Sequence, residues 1–234
     1  MAKVAAKKAS AKAPSAKSGR RQINFFFVVD CSGSMTGDKM ASLNYAIRSA
    51  IPAMQAAAAD NPENDVLVRV ISFADQARWM IEAPVPVADF TWADLKAKGE
   101  SAMGQSLEML AKILNPKKLT GAQNPPVIVL VSDGLPTDDV DAGLVALEAS
   151  DYGKAAVRVA IAIGSDADMP TLQNFMGNSG VKPLQANNAE TLVNRIKWAA
   201  SVPLKAASMT VSDGAQEMAK SAAGEEKDGG ELVW

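Results

Sequence analysis

The chain has 234 residues, of which 48% are hydrophobic, and a formal net charge of -2, but no apolar run approaches the roughly 18 residues that would span a membrane. It has no histidine and a single cysteine, Cys31, which excludes imidazole-based catalytic triads, His-containing metal sites, thiolate zinc clusters and an internal disulfide. A bound metal would therefore be held by oxygen atoms.

The N-terminal segment, residues 1–21, contains five Lys, two Arg and no acidic residue. Its Ala, Lys and Ser composition offers little apolar surface to bury, so we predict a disordered basic tail. Such an arm can bind a polyanion weakly, which keeps a nucleic-acid-associated scaffold open as one function. The segment also lacks the apolar stretch of a secretion signal, so we expect a cytoplasmic protein with no membrane partner.

Residues 22–204 alternate short apolar runs with helical patterns, which is typical of βαβ units. Strong strands are predicted at residues 23–30, 66–73, 126–133 and 157–164, and weaker ones at 77–85 and 181–184. Helices are predicted at residues 39–59, 101–114, 138–150, 169–176 and 189–200. The connection before residue 77 is too short for a crossover, so that strand should return antiparallel as a hairpin. We therefore predict an α/β fold with a doubly wound, mostly parallel sheet and helices on both faces.

The last segment, residues 205–234, contains six acidic residues and three Lys, with few large apolar residues. We predict a flexible acidic C-terminal tail. The expected organisation is a basic tail at 1–21, one domain at 22–204 and the acidic tail at 205–234.

Two of the strong strands end in aspartate, Asp30 and Asp133, and each runs into a loop before a helix. In open α/β sheets the ligand crevice lies beyond the carboxyl ends of the strands, so both carboxylates point into one crevice if these strands are neighbours. Two close carboxylates repel each other, and a divalent cation with oxygen ligands relieves that repulsion. The hydroxyls of Ser32 and Ser34 suit the remaining positions. Mg²⁺ is the expected ion, with Mn²⁺ or Ca²⁺ as alternatives.

The spacing Asp30-x-Ser32-x-Ser34 after a hydrophobic strand resembles the metal-ion-dependent adhesion site of von Willebrand factor A domains, and the resemblance spans residues 23–201. It implies that two further loops complete the site, through Ser101 in the stretch 99–104 and through Asp133. Ser101 stands where Thr is usual in the family. The loop 133–139, the hairpin 70–87 and the segment 195–201 look most similar to the bacterial tellurium-resistance TerY-like branch.

Each site residue also has a purely structural interpretation. The Asp30–Ser34 stretch alone can form an Asx or Ser turn that caps a helix, and Ser101 can be a helix N-cap. We expect Thr137 and Asp138 to cap the helix that begins there rather than to contact metal. Cys31 is interpreted as a packed small side chain rather than a nucleophile, since no histidine lies beside it and a nearby cation would be its only activation.

The favoured function is a metal-dependent protein-interaction module in which an open coordination position takes a Glu or Asp of a partner protein. The family resemblance implies the same, in a TerY-like stress, tellurite-resistance or phage-defence system. The alternative is a Mg²⁺-dependent phosphohydrolase, because a strand-end Asp beside Mg²⁺ is also how haloacid-dehalogenase-like phosphatases begin. Those enzymes resemble D-x-D, whereas Ser32 cannot protonate a leaving group, and only Lys39 lies near enough in sequence to hold a phosphoryl group. We therefore expect binding rather than catalysis.

Overall fold

The computed structural model describes residues 19–177, 181–225 and 233–234. Within these residues a six-stranded sheet has the order β3-β2-β1-β4-β5-β6. The strands are β1 (Arg21–Asp30), β2 (Asn64–Phe73), β3 (Ala77–Pro86), β4 (Val127–Ser132), β5 (Val157–Ile163) and β6 (Leu184–Ala186). The helices are α1 (Asp38–Ala59), α2 (Met103–Ile113), α3 (Val140–Ala149), α4 (Asp151–Lys154), α5 (Met169–Met176), α6 (Ala189–Ala206) and α7 (Val211–Glu225). Strand β3 pairs antiparallel with β2, and all other pairs are parallel.

The predicted fold class is confirmed: the sheet is mostly parallel, with one antiparallel edge strand and helices packed around it. The central strands β1 and β4 are buried along almost their whole length, which explains the uninterrupted apolar runs at residues 25–29 and 127–131. Each fully buried aliphatic or aromatic side chain there contributes about 1.5–3 kcal/mol to folding. The strand order reverses between β1 and β4, because β1 leads to β2 on one side and β4 leads to β5 on the other. Their carboxyl ends therefore flank the crevice where ligands bind in such folds.

The last strand lies later in the chain than predicted. We expected it at residues 181–184, but β6 covers Leu184–Ala186, and its pairing with β5 starts at Leu184 opposite Ile161. Pro183 has no N–H to give to a sheet, which accounts for pairing that begins only after it.

Helix α6 also runs further than predicted. The expected end was residue 200, whereas the helix continues to Ala206 through Pro203. Proline removes one helical hydrogen bond, but Pro203, Leu204 and Ala206 are all buried, so packing favours the continued helix.

The segment predicted as a flexible acidic tail contains helix α7, which packs against α6. Gly214, Met218 and Ala222 are buried at a spacing of four residues, which is one helix face. Trp198 on α6 donates its indole N–H to Ser221 Oγ at 2.8 Å. Overall composition concealed this periodic face, because the acidic residues lie on the other sides of the helix.

The predicted basic tail lies almost wholly outside the described residues, although Arg21 already begins β1. The proposed domain limits therefore stay predictions. Among the helices that the structure describes, none is both long and apolar enough to cross a bilayer.

Candidate metal centre

Two predicted ligands lie at neighbouring strand ends. Asp30 is the last residue of β1, and Asp133 directly follows β4. The parallel register aligns Val29 with Val131, which brings Asp30 level with Ser132. The sequence prediction that both aspartates border one crevice required these strands to be adjacent, and they are.

The loop that contains Ser101 is tied to the loop after β1 by two backbone hydrogen bonds. Gly33 N–H donates to Gly99 O at 2.8 Å, and Lys98 N–H donates to Cys31 O at 2.7 Å. Gly99 has φ +83°, and a Cβ there would lie 2.2 Å from Asp75 Oδ1, so only glycine fits this turn. The three predicted loops therefore meet at one edge of the sheet.

Asp30 is fully buried and accepts hydrogen bonds at both carboxylate oxygens. Its Oδ1 accepts from Ser32 N–H at 2.8 Å, and its Oδ2 accepts from the hydroxyls of Ser132 at 2.6 Å and Ser101 at 3.3 Å. Burial raises the pKa of Asp30 above its ordinary value, the hydrogen bonds from Ser132 and Ser32 lower that pKa, and the charge of Asp133 raises it. Asp133 is thus close enough to act on Asp30 electrostatically.

Asp133 is the less satisfied carboxylate. It is fully buried, its Oδ1 accepts one long bond from Leu135 N–H at 3.5 Å, and its Oδ2 has no hydrogen-bond partner. A buried carboxylate oxygen without a donor costs free energy unless another positive group satisfies it. An oxygen-coordinated cation fits this position, because the surrounding donor set consists only of carboxylate and hydroxyl oxygens.

The serines of the first loop lie side by side, with Ser32 Oγ and Ser34 Oγ 2.9 Å apart. Ser32 is buried and Ser34 is exposed. The Asx turn considered from the sequence is present, since Asp30 accepts from Ser32 N–H. Neither serine caps a helix, because no side-chain cap bond is made at the following 3-10 turn or at the start of α1. Both hydroxyls therefore remain available as ligands.

Ser101 is not a helix cap either. Helix α2 begins at Met103, its N-cap is Ala102, and no side-chain cap bond is made there. The hydroxyl of Ser101 instead points to Asp30 Oδ2. Four of the five predicted ligands are thus linked through hydrogen bonds, and Asp133 stands beside them.

Within the described residues, no group of three or more carboxylate, histidine or cysteine side chains is arranged to hold a metal. A cation at this crevice would therefore be held by two carboxylates supplemented by neutral hydroxyls. That is a donor set from which Mg²⁺ ordinarily keeps part of its water shell.

The predicted capping roles of Thr137 and Asp138 are wrong in detail, because Asp139 caps α3 by accepting from Ala142 N–H at 2.9 Å. The Asp138 carboxylate instead accepts from Gly104 N–H and Gln105 N–H, both at 2.8 Å, and so caps α2 from another loop.

Thr137 links the same two loops in both directions. Its Oγ1 accepts from Ser101 N–H at 3.0 Å, and its own N–H donates to Ser101 O at 2.9 Å. This exchange needs α2 and α3 in close contact, and a Cβ on Gly104 would lie 2.1 Å from Asp139 O. Local sequence signals cannot predict the cap that Asp138 gives to α2, because its partners are more than 30 residues away in the chain.

Cys31 is buried beside the site, in surroundings that disfavour its reactive thiolate form. Burial raises the pKa of its thiol to about 12, and the negative charge of Asp30 adds to the effect. The thiolate is the reactive form, so the side chain stays inert at neutral pH.

We expect iodoacetamide to modify Cys31 about 1000-fold more slowly in the folded protein than in the denatured chain at about pH 8. The reason is the rise in pKa from 9.0 to about 12, which lowers the thiolate fraction by that factor. Mass spectrometry of timed samples, with and without guanidinium, measures both rates. Equal rates would contradict the assigned burial.

Ser132 is a contact of Asp30 that the sequence interpretation did not include among the ligands. The strand pattern could have predicted this contact, because pairing β1 with β4 in this register places the last residue of β4 beside Asp30. That register depends on the strand order, which a single sequence does not reveal.

Comparison with known proteins agrees with this fold. Residues 25–135 match the model of the von Willebrand factor type A domain. Similar solved structures include a von Willebrand factor type A protein from Catenulispora acidiphila, with TM-score 0.57 and 17% identity over 79% of this chain and 43% of that one. The ArnB paralog VWA2 from Sulfolobus acidocaldarius has a TM-score of 0.55 and 16% identity over 76% of this chain and 45% of that one. The pilus adhesin SpaC from Lactobacillus rhamnosus GG, in its open conformation, has a TM-score of 0.59 and 15% identity over 79% of this chain and 30% of that one.

This chain spans less than half the length of each of those three proteins. No curated protein matches its sequence. Residues 25–135 are thus similar to the von Willebrand factor type A domain, and the six-stranded sheet has the fold of these solved structures.

Proposed function

We propose that this chain is a metal-ion-dependent protein-interaction module. In this proposal Asp30, Ser32, Ser34, Ser101 and Asp133 hold Mg²⁺, or Mn²⁺ or Ca²⁺ in its place. The observation that carries the proposal is the buried Asp133 Oδ2, which lacks a donor beside a second buried carboxylate. When bound, the cation would supply Lewis acidity toward a Glu or Asp carboxylate of a partner protein.

The surroundings of the site support binding to a protein. Von Willebrand factor type A domains commonly mediate protein interactions, and one of the similar structures is a pilus adhesin. Leu135, two residues beyond Asp133, leaves 47% of its surface exposed, and Ser34 is exposed on the opposite loop. An apolar side chain next to a charged centre suits the edge of a protein interface.

Catalysis has less support than binding. Lys39, the sequence candidate for holding a phosphoryl group, pairs with Asp166 Oδ1 at 3.6 Å, and its side chain is only 13% exposed. Ser32 stands where a phosphatase of the D-x-D type has its acid, and a hydroxyl cannot take that role. We therefore propose a non-enzymatic module.

The resemblance of loop 133–139 to the TerY-like branch supports a role in a bacterial stress, tellurite-resistance or phage-defence system as part of this proposal. The cytoplasmic location and the binding of polyanions by residues 1–21 remain predictions from the sequence.

The test is co-purification from a cell lysate with Mg²⁺ or with EDTA, using the wild type, Asp133→Ala and Asp139→Ala. Asp139 lies in the same loop, but its carboxylate caps α3 rather than lining the site. We expect a partner that the wild type and Asp139→Ala retain in Mg²⁺, and that EDTA or Asp133→Ala releases. A partner retained by Asp133→Ala in EDTA would contradict the proposal.

The stability gained from Mg²⁺ should increase with pH. The pKa of Asp30 is raised above 3.8 in the folded state, mainly by burial. Without metal, Asp30 therefore adds most to the free energy of unfolding below its ordinary pKa, where its carboxyl is protonated in both states. This contribution is lost as the pH rises through the raised pKa of the folded state. Metal binding needs the ionised carboxylate, so it strengthens over the same range. Melting curves between about pH 4 and 7, with Mg²⁺ and with EDTA, should diverge as pH rises, and a constant gap would contradict this.

A further inference from the structure

Ser132 is a buried hydroxyl that belongs to neither the predicted ligands nor the hydrophobic core. It is the last residue of β4 and has no exposed surface. Its Oγ lies 2.6 Å from Asp30 Oδ2, which is shorter than the 3.3 Å from Ser101 Oγ to the same oxygen. Short contacts to an ionised carboxylate are among the stronger hydrogen bonds in proteins.

The direction of this hydrogen bond is fixed by a second one. Gly134 N–H donates to Ser132 Oγ at 2.8 Å, so the serine oxygen accepts there and its hydroxyl hydrogen is left for Asp30. Ser132 therefore connects the Asp30 carboxylate to the backbone on the far side of Asp133. A single hydroxyl joins the two loops that carry the carboxylates.

We propose that Ser132 is a positioning residue that holds the Asp30 carboxylate in place relative to Asp133. Without the hydroxyl, Asp30 Oδ2 would keep only the longer contact from Ser101, and Gly134 N–H would lose its acceptor. Both carboxylates would then be less fixed in direction. This inference rests on the proposed metal-binding function, because positioning matters only if the two carboxylates share a ligand.

The test measures Mg²⁺ affinity by isothermal titration calorimetry for the wild type, Ser132→Ala, Ser132→Thr and the control Ser106→Ala. Ser106 is also fully buried, and its hydroxyl donates to Met103 O at 2.7 Å within α2. We expect Ser132→Ala to weaken Mg²⁺ binding about 10–100-fold, as losses of groups that orient metal ligands do. Ser132→Thr keeps the hydroxyl and should restore most of the affinity, and Ser106→Ala should leave it unchanged.

Ser132→Cys covers the case in which Ser132→Ala does not fold, because it fills the space with a much weaker donor. It should also weaken Mg²⁺ binding, while circular dichroism shows an intact fold. Wild-type affinity in the folded Ala or Cys variant, or an equal loss in Ser106→Ala, would overturn the positioning role. A wild type that binds no divalent cation would instead overturn the proposed function itself.

Discussion

Asp133→Ala is expected to abolish the stabilisation that Mg²⁺ gives the wild type. A ligand that binds only the folded state adds about 2.7 kcal/mol at 100 times its dissociation constant. For a domain of this size that corresponds to an increase in melting temperature of about 5–10 °C. The variant should show no increase, because its alanine removes the carboxylate whose Oδ2 lacks a protein donor.

The metal-free variant should be at least as stable as the metal-free wild type. Asp133 is a fully buried carboxylate near Asp30, and its removal relieves a repulsion that the fold otherwise bears. Thermal melts in EDTA and in Mg²⁺ measure both effects. A metal-free variant that is unfolded would show that the carboxylate, rather than the apolar strands, stabilises this edge of the sheet.

The fold was predictable from the sequence where the local pattern of apolar residues directly reflects the burial of a strand or helix. Residues 25–29 of β1 and 127–131 of β4 are all apolar because both faces of these strands are covered. Helix α7 was not predictable from overall charge, since three small or flexible residues form its buried face among the positions whose burial the structure describes. The end of α6 was missed because Pro203 signals a break that the surrounding packing overrides.

The candidate site was likewise predictable only where its residues lie close together in the sequence. Asp30, Ser32 and Ser34 stand close together in sequence, so their spacing alone suggests a cluster. The hydrogen bonds from Ser132 to Asp30 and from Ser101 to Asp30 join residues 102 and 71 positions apart. Such contacts depend on strand order and loop packing, which local patterns do not encode. Ser132 and the cap from Asp138 are therefore results of the structure.

Asp138→Ala should both destabilise the fold and weaken Mg²⁺ binding. The Asp138 carboxylate accepts two backbone N–H bonds at the start of α2, and loss of a helix cap costs about 0.5–2 kcal/mol. We expect the upper part of that range, because two amides lose a charged acceptor and the helix loses a negative group at its N-terminus. Helix α2 starts two residues after Ser101, so its loosening also frees the Ser101 hydroxyl from Asp30.

Asp139→Ala is the matched control for this second effect. Asp139 is the next residue along the same loop and also caps a helix, but that helix is α3 and the cap bond is single. We expect Asp139→Ala to lower stability by about 1 kcal/mol and to leave Mg²⁺ affinity unchanged. Urea unfolding gives the stability of both variants, and calorimetry gives their Mg²⁺ affinity. If Asp138→Ala binds Mg²⁺ as tightly as Asp139→Ala does, the cap stabilises α2 without positioning Ser101.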